Sequence, residues 1–115
     1  MKKKIRAILI DSNTGLCTET EIEQGSLQDL YRVIGCKTIE VVRSRVLQGR
    51  DVIYVDEEGL LHDPTLFFKI DGFPQPIAGN GLVVGTDSQG DDIDVKTPLD
   101  VIKRSVQFLF DIARV

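Results

Sequence analysis

The chain has 115 residues, a mass of 12.8 kDa and a formal net charge of −4. This length predicts one domain whose core is large enough to fold without disulfides or a structural metal. Hydrophobic residues make up 42% and charged residues 28%, which excludes a disordered chain, a collagen, a coiled coil and a disulfide scaffold. The acidic balance excludes the broad basic face of a non-specific nucleic-acid binder, but it leaves room for a small basic pocket.

The amino-terminal apolar run is short. It covers residues 5–10 and ends at Asp11, which is too short for a signal peptide or a membrane span. We therefore expect a cytoplasmic protein that begins with a strand and does not enter a membrane. Cys17 and Cys36 lie 19 residues apart with no CxxC motif and a single histidine, so we expect packed free thiols and no zinc site.

The first half of the chain predicts two hairpins and a helix. Residues 5–10 are apolar on both faces, as in an inner strand, and residues 16–23 alternate to give an acidic face with Glu19, Glu21 and Glu23. Ser26 caps a short helix that ends at Gly35. Residues 37–47 and 51–56 form the second hairpin around a turn at 48–50.

The second half contains a long segment with no regular period. Residues 60–80 predict a loop, residues 81–87 an inner strand, and residues 91–96 a segment that pairs back on it. Thr97 caps a closing helix with Pro98 in its first turn. The apolar stripe of this helix, which would face the core, consists of Ile102, Val106, Leu109 and Ala113. The opposite, solvent-facing stripe consists of Asp100, Arg104, Gln107 and Asp111.

These elements predict an α+β fold in which residues 1–115 form a single domain. The order is ββαββ, a long loop, then ββα, in a mostly antiparallel sheet with both helices on one side.

A local basic cluster is the first candidate site. Arg43 and Arg45 would share one face of a strand, with Arg50 at the following turn. Guanidinium groups placed in this way can hold a phosphate or an acidic partner. The alternative is a salt-bridged solvent face opposite the acidic strand 19–23.

The other candidates lie in and beside the long loop. Gly79, Asn80 and Gly81 form either a turn before a strand or a backbone that approaches a ligand, because the spacing fits neither a dinucleotide fingerprint nor a P-loop. His62-Asp63 invites a catalytic interpretation, but no nucleophile has a recognisable setting. The three phenylalanines either pack the loop onto the sheet, or line a pocket, or form an apolar patch for another protein; they are Phe67, Phe68 and Phe73. The carboxylates of 87–94 do not match a calcium loop, and we expect an acidic turn without a metal.

Several passages together resemble a known family. They are SLQDLYRVIGCKTIEVV (26–42), VDEEGLL (55–61) and IDGFPQPIAGNGLVVGTDSQGDD (70–92), followed by a closing helix. The chain resembles, over residues 5–110, a small domain of unknown function found in phages, plasmids and bacteria near antirestriction-type genes. The resemblance implies a small non-enzymatic accessory protein of a mobile element, with no active site and no cofactor to transfer.

Two functions remain open at this point. The first is an accessory protein that acts by binding another protein, using the long loop and the acidic hairpins. The second is a small-molecule or nucleotide binding protein, such as an anti-defence sponge for an anionic signal. Its tentative site residues are Arg43, Arg45, His62, Phe73, Gly79, Asn80 and Gly81. An open sheet edge would also let two copies pair as a homodimer.

Overall fold

The computed structural model describes residues 3–62 and 64–110. These residues form nine strands, two α-helices and a short 3₁₀ helix, and every strand pairing is antiparallel. In chain order the elements are β1 (Lys4–Asp11), β2 (Leu16–Glu23), α1 (Leu27–Ile34), β3 (Ile39–Val42), β4 (Val52–Asp56), the 3₁₀ helix (Gly59–His62), β5 (Leu66–Ile70), β6 (Ile77–Ala78), β7 (Gly81–Thr86), β8 (Asp92–Ile93), α2 (Leu99–Ser105) and β9 (Val106–Phe110). The α+β class and the antiparallel sheet are confirmed, but the number and order of the strands differ from the prediction.

The main sheet has the strand order β2-β1-β7-β4-β3, with β8 paired to β7. Its inner strands are β1, β4 and β7, and consecutive residues of β4 and β7 are buried because both faces of these strands are covered. In the first hairpin Ile10 lies opposite Cys17 and Ile5 opposite Ile22, so each pair shares one face. The sheet therefore has two apolar faces and builds two cores.

The two helices lie on opposite faces of the main sheet, so the prediction of helices on one side is wrong. Leu30 and Ile34 of α1 pack with Ile5, Leu82 and Val84. On the other face, Ile102 of α2 joins a second core that includes Ile8, Ile10, Ile53, Val83 and Phe68. The physical reason is that strands apolar on both faces cannot leave one of them open to water.

The capping of α1 is confirmed. The Asp29 amide donates to Ser26 Oγ at 3.1 Å, and Gly35 ends the helix with a φ of 83°. The carboxylate of Asp29 accepts from the Glu23 amide at 2.7 Å, and Arg32 contacts it from the next turn. These bonds hold the pKa of Asp29 below its usual range and join the end of β2 to the start of the helix.

The prediction of a loop over 60–80 is wrong. This segment contains the 3₁₀ helix and the strands β5 and β6, which form with β9 a second sheet of order β6-β5-β9. Phe68 is fully buried and packs this small sheet on the main one, whereas Phe73 is half-buried. Aromatic and β-branched residues favour strands even when, as here, the apolar residues do not alternate cleanly.

The closing helix is also shorter than predicted, because α2 ends at Ser105 and the chain continues as β9. Residues 106–110 pair with β5 in full register, from Val106 opposite Ile70 to Phe110 opposite Leu66. The predicted stripes of a long helix therefore end at Arg104, and Ala113 and Asp111 lie outside the described residues. Pairing with β5 overrides helical periodicity in a Val-Gln-Phe-Leu-Phe segment whose residues favour strands.

Thr97 has a different role from the predicted helix cap, which the structure places at Pro98. The Thr97 hydroxyl donates to the buried carboxylate of Asp51 at 2.7 Å and accepts from the Gln48 amide at 2.8 Å. The same carboxylate accepts from the amides of Thr97 and Lys96. Asp51 therefore fastens the start of β4 to the segment that leads into α2.

The second hairpin is shorter than predicted, because β3 ends at Val42 and residues 43–51 form a loop. Arg43 and Arg45 therefore do not share a strand face. The acidic strand β2 lies at the opposite edge of the main sheet from β3, so the predicted ionic face between these arginines and Glu19, Glu21 and Glu23 does not form.

Candidate functional site

The seven predicted site residues do not meet in one pocket. Arg43 lines a polar cleft, Phe73 an apolar groove, and His62 and Gly79 a third, shallow cleft. Gly81 pairs with Val55 at one end of β7, whereas Val84 pairs with Val52 towards the other end. Arg43 lines its cleft together with Thr86, the last residue of β7, and a strand of six residues spans roughly 17–20 Å. The length of the central strand therefore separates the cleft that Arg43 lines from the glycine-rich turn.

The glycine-rich turn makes structural contacts. Asn80 Oδ1 accepts from the Ser12 amide at 2.8 Å, and its Nδ2 donates to the Ile34 carbonyl at 3.3 Å. The Ser12 hydroxyl donates to the Gly79 carbonyl. Both polar ends of the Asn80 side chain are thus engaged, and they connect the β1–β2 turn to the end of α1.

Gly81 is required by packing. A Cβ at this position would lie 2.8 Å from Phe68 Cζ and 3.0 Å from Ile53 Cγ2. The close approach is therefore to the second sheet, and it explains the glycine without a ligand.

His62 lies on the surface at the end of the 3₁₀ helix. Its Nε2 is 3.9 Å from Asp56 Oδ2, which is beyond hydrogen-bond distance. Asp63, its predicted partner, lies outside the described residues. The geometry of the described residues gives His62 no oriented proton acceptor.

The two cysteines are free. Burial raises the pKa of Cys17, and burial together with the charge of Asp56 raises the pKa of Cys36. A raised pKa disfavours the thiolate that nucleophilic chemistry needs. This environment agrees with the prediction that both thiols pack as small apolar residues.

The acidic turn uses its carboxylates internally. Asp87 Oδ1 accepts from the amides of Gln89 and Asp91, and Asp94 Oδ1 accepts from the Arg6 amide at 2.9 Å. Asp92 accepts from the Tyr54 hydroxyl at 2.6 Å. Among residues 3–62 and 64–110, no group of three or more His, Cys, Asp or Glu residues is arranged to hold a metal ion.

A partly apolar opening lies between the two sheets, at the edge formed by β3 and β6. We call it the leucine groove; it has a volume of about 370 Å³, and its apolar lining includes Val42, Val55, Leu60, Leu61, Phe73 and Ile77. Leu60 and Leu61 project from the 3₁₀ helix and are 71% and 78% exposed. Two neighbouring leucines this exposed form an unusual apolar surface on a small domain.

The rim of the leucine groove is acidic. Glu40, Asp56 and Glu57 line it, and no Lys or Arg does among the described residues. Thr38 donates to the nearby Glu58 at 3.4 Å, and the Glu58 amide donates to Asp56 Oδ1 at 2.9 Å. The groove thus combines apolar side chains with a negative border, which suits a segment that is both apolar and basic.

A second opening is polar and lies at the other end of the main sheet. We call it the arginine cleft; it has a volume of about 420 Å³ between the 43–51 loop and the 86–90 turn, with Arg43 and Arg50 in its lining. The Thr86 hydroxyl donates to the Arg50 carbonyl at 2.6 Å and joins its two walls. Arg45, which the sequence groups with Arg43, is not among the lining residues and instead lies beside Gly72.

Residues 5–106 match the model of a family described as a domain of unknown function, DUF3846. The chain belongs to this family. The predicted resemblance to a small domain of unknown function is confirmed at that level, whereas the link to phages and plasmids stays a prediction.

One curated relative of this DUF3846 domain is the uncharacterized protein y4iR of Sinorhizobium fredii (strain NBRC 101917 / NGR234). It is 27% identical over 82 residues, which cover 70% of this chain and 49% of that protein. The chain therefore matches about half the length of this relative. No solved structure matches the chain.

Sequence reasoning missed part of both openings in this DUF3846 domain. Leu60 and Leu61 carried a usable signal, because two adjacent leucines after a Glu-Glu-Gly turn cannot both point into one core. Arg50 was recognised as part of a basic cluster, but only the fold places it with Arg43 and apart from Arg45.

None of the helices in the described part of the chain has the length and apolar character that crossing a membrane requires.

Proposed function

We propose that this DUF3846 domain is a non-enzymatic accessory module that binds another protein through the leucine groove. The observation that carries the proposal is the exposure of Leu60 and Leu61, 71% and 78%, at the mouth of an acidic-rimmed apolar groove. An exposed apolar surface costs solubility and is typical of interaction sites. The cytoplasmic, mobile-element setting implied by the family resemblance is part of the proposal.

The geometry favours an extended partner segment. β3 is the terminal strand of the main sheet and is paired with β4 on one side only. Glu40 and Val42 of β3 line the groove, so a segment lying along this edge would reach it. Main-chain hydrogen bonds to an open edge supply affinity, and alternate side chains entering a neighbouring groove supply specificity.

The acidic rim of the leucine groove also determines which charges the partner segment should carry. Its apolar residues would contact Leu60 and Leu61, and its Lys or Arg side chains would lie against Glu40, Asp56 and Glu57. Such rim charges mainly set the rate of association and the choice of partner, so binding should weaken as salt is added.

The test is selection from a random peptide display library on the whole chain, followed by affinity measurement. We expect selected peptides to alternate apolar and basic residues. The double variant Leu60→Ser/Leu61→Ser should weaken their binding by about tenfold or more, because each leucine buries a substantial apolar area. Leu16→Ser is the matched control, since Leu16 is 57% exposed on β2 at the far edge of the same sheet.

The outcomes are distinct. If the selected peptides bind the double variant as tightly as the wild type, or lose as much affinity in Leu16→Ser, the groove is not the binding surface. Glu57→Gln tests the rim separately, and it should reduce the salt dependence of peptide binding without changing the melting temperature.

The alternative function, a small-molecule or nucleotide binding protein such as an anti-defence sponge, needs a different site from the one predicted. Arg43 lies in the arginine cleft, whereas Gly79 and His62 lie in another opening. Recognition of an anion by Arg43 is therefore a question about the arginine cleft alone.

A further inference from the structure

We propose that the arginine cleft is a binding site for a phosphoryl group, carried by a small phosphate monoester or by free phosphate. This site is independent of the leucine groove, which lies between the sheets at the β3 and β6 edge. Arg43 and Arg50 approach the cleft from the two ends of the loop that forms one wall.

The two guanidinium groups are available to a ligand. Among the described residues, neither lies within 4.0 Å of a carboxylate oxygen, unlike Arg32 with Asp29 and Arg104 with Asp100. A guanidinium offers a planar set of donors that matches two phosphate oxygens at once. Two of them facing one cleft can neutralise a dianion.

The two carboxylates in the cleft lining already accept hydrogen bonds from protein donors. Asp51 accepts from the Thr97 hydroxyl and from the amides of Thr97 and Lys96, and it is buried. Asp87 accepts from the amides of its own turn. These bonds direct both carboxylates into the protein framework and offset part of their repulsion of an anion.

Lys96 adds to the positive charge beside the cleft. Its side chain runs against Gly49, where an added Cβ would lie 3.0 Å from Lys96 Cδ and 3.9 Å from its Nζ. Gly49, with a φ of 56°, lines the cleft next to Arg50. Two guanidinium groups and two carboxylates therefore line the opening, and Lys96 beside it gives the surroundings a positive balance although the whole chain is acidic.

The walls are held in place before any ligand arrives. Thr86 donates to the Arg50 carbonyl at 2.6 Å, and Gln48 donates to Thr97 Oγ1 at 2.8 Å. The Ser44 hydroxyl donates to the Asp71 carbonyl and fixes the start of the loop. A preorganised cleft loses less conformational entropy on binding than a free loop would.

The test is a heteronuclear NMR titration of the whole chain with sodium phosphate, and separately with AMP, at constant ionic strength set with sodium chloride. We expect saturable shifts confined to amides of residues 43–51 and 86–90. The double variant Arg43→Gln/Arg50→Gln should raise the Kd by about tenfold or more, because it removes the charge-assisted donors. Arg45→Gln is the matched control from the same loop, and its Kd should stay within about twofold of wild type.

Each result has a clear meaning. Tighter binding of AMP than of phosphate assigns the site to a phosphate monoester, and equal binding assigns it to the phosphoryl group alone. Shifts that rise linearly without saturation, or an effect of Arg45→Gln equal to that of the double variant, would overturn the proposal. Leu60→Ser/Leu61→Ser should leave the titration unchanged, which separates this site from the protein-binding proposal.

Discussion

At the scale of single residues, Tyr54 shows how a side chain can join distant elements. Its hydroxyl donates to Asp92 Oδ1 at 2.6 Å. This hydrogen bond joins β4 to β8, two strands that both pair with β7. Burial is the main cause that raises the pKa of Tyr54 well above its ordinary value, and the hydrogen bond and charge of Asp92 raise it further. The folded state therefore holds this proton more tightly than the unfolded chain does.

We predict that Tyr54→Phe lowers the free energy of unfolding by about 2 kcal/mol near neutral pH, through loss of one hydrogen bond to a charged acceptor. A raised folded-state pKa gives stability that is fully present below the unfolded pKa of about 10 and is lost as the pH rises above it. Urea unfolding of both proteins at several pH values from about 8 to about 11 measures this. The wild type should lose stability more steeply above pH ~10, so the gap between the two proteins should close, and parallel curves would contradict the prediction.

At the scale of elements, close packing joins β7 to the segment that carries β8. A Cβ on Gly85 would overlap the Asp94 carbonyl oxygen, which is backbone and cannot rotate away. The same segment bonds to β1, since the Val95 amide donates to the Arg6 carbonyl at 3.0 Å. Gly85 therefore lets the chain lie against the main sheet before α2 begins.

We predict that Gly85→Ala lowers the free energy of unfolding by about 3 kcal/mol, because overpacking against backbone forces the segment away from β7. Gly59→Ala is the control, since its Cβ would lie 3.2 Å from the nearest atoms, those of Ala78. That variant should lose less than about 1 kcal/mol, because a small displacement of the exposed 3₁₀ helix relieves a contact that is only slightly too close. Denaturant unfolding measures both, and equal losses would show that the close contact at Gly85 is absent.

At the scale of the whole molecule, the charged side chains are unevenly distributed over the main sheet. Strand β2 places Glu19, Glu21 and Glu23 along one edge, while the 43–51 loop follows β3 at the other. An open strand edge invites pairing with another chain, and a row of like charges discourages it. The net charge of −4 thus hides an acidic edge and a separate basic cleft.

We predict that Glu19→Val/Glu21→Val makes the chain self-associate, because two antiparallel β2 edges would no longer bring carboxylates together. Sedimentation velocity over a range of concentrations measures the association. Thr18→Val/Thr20→Val is the control, because it raises strand propensity on the same element without removing charge. Self-association of both variants to the same extent would show that charge does not protect this edge.

The elements with strong local signals are the ones that sequence reasoning placed correctly. Ser26, Asp29 and Gly35 define α1 through short-range bonds, and β1 and β7 are apolar on both faces, so both follow from the sequence. The segments at 66–70 and 106–110 hold residues that favour strands but show no clean alternation, and in the fold they pair with each other. A pairing across roughly 40 residues depends on the tertiary fold, which local patterns do not report.

For the candidate sites, too, some features follow from the local sequence and others only from the fold. The sequence by itself determined the α+β class and the presence of three arginines close together in the chain at 43–50. Only the tertiary structure decided that Arg43 joins Arg50 and not Arg45, that Asn80 and Gly81 serve packing, and that Leu60 and Leu61 remain exposed. The physical reason is that a site is a set of side chains brought together by long-range strand order. In this chain β7 separates the cleft lined by Arg43 from the turn that contains Gly79, Asn80 and Gly81, although the sequence analysis assigned all four residues to one site.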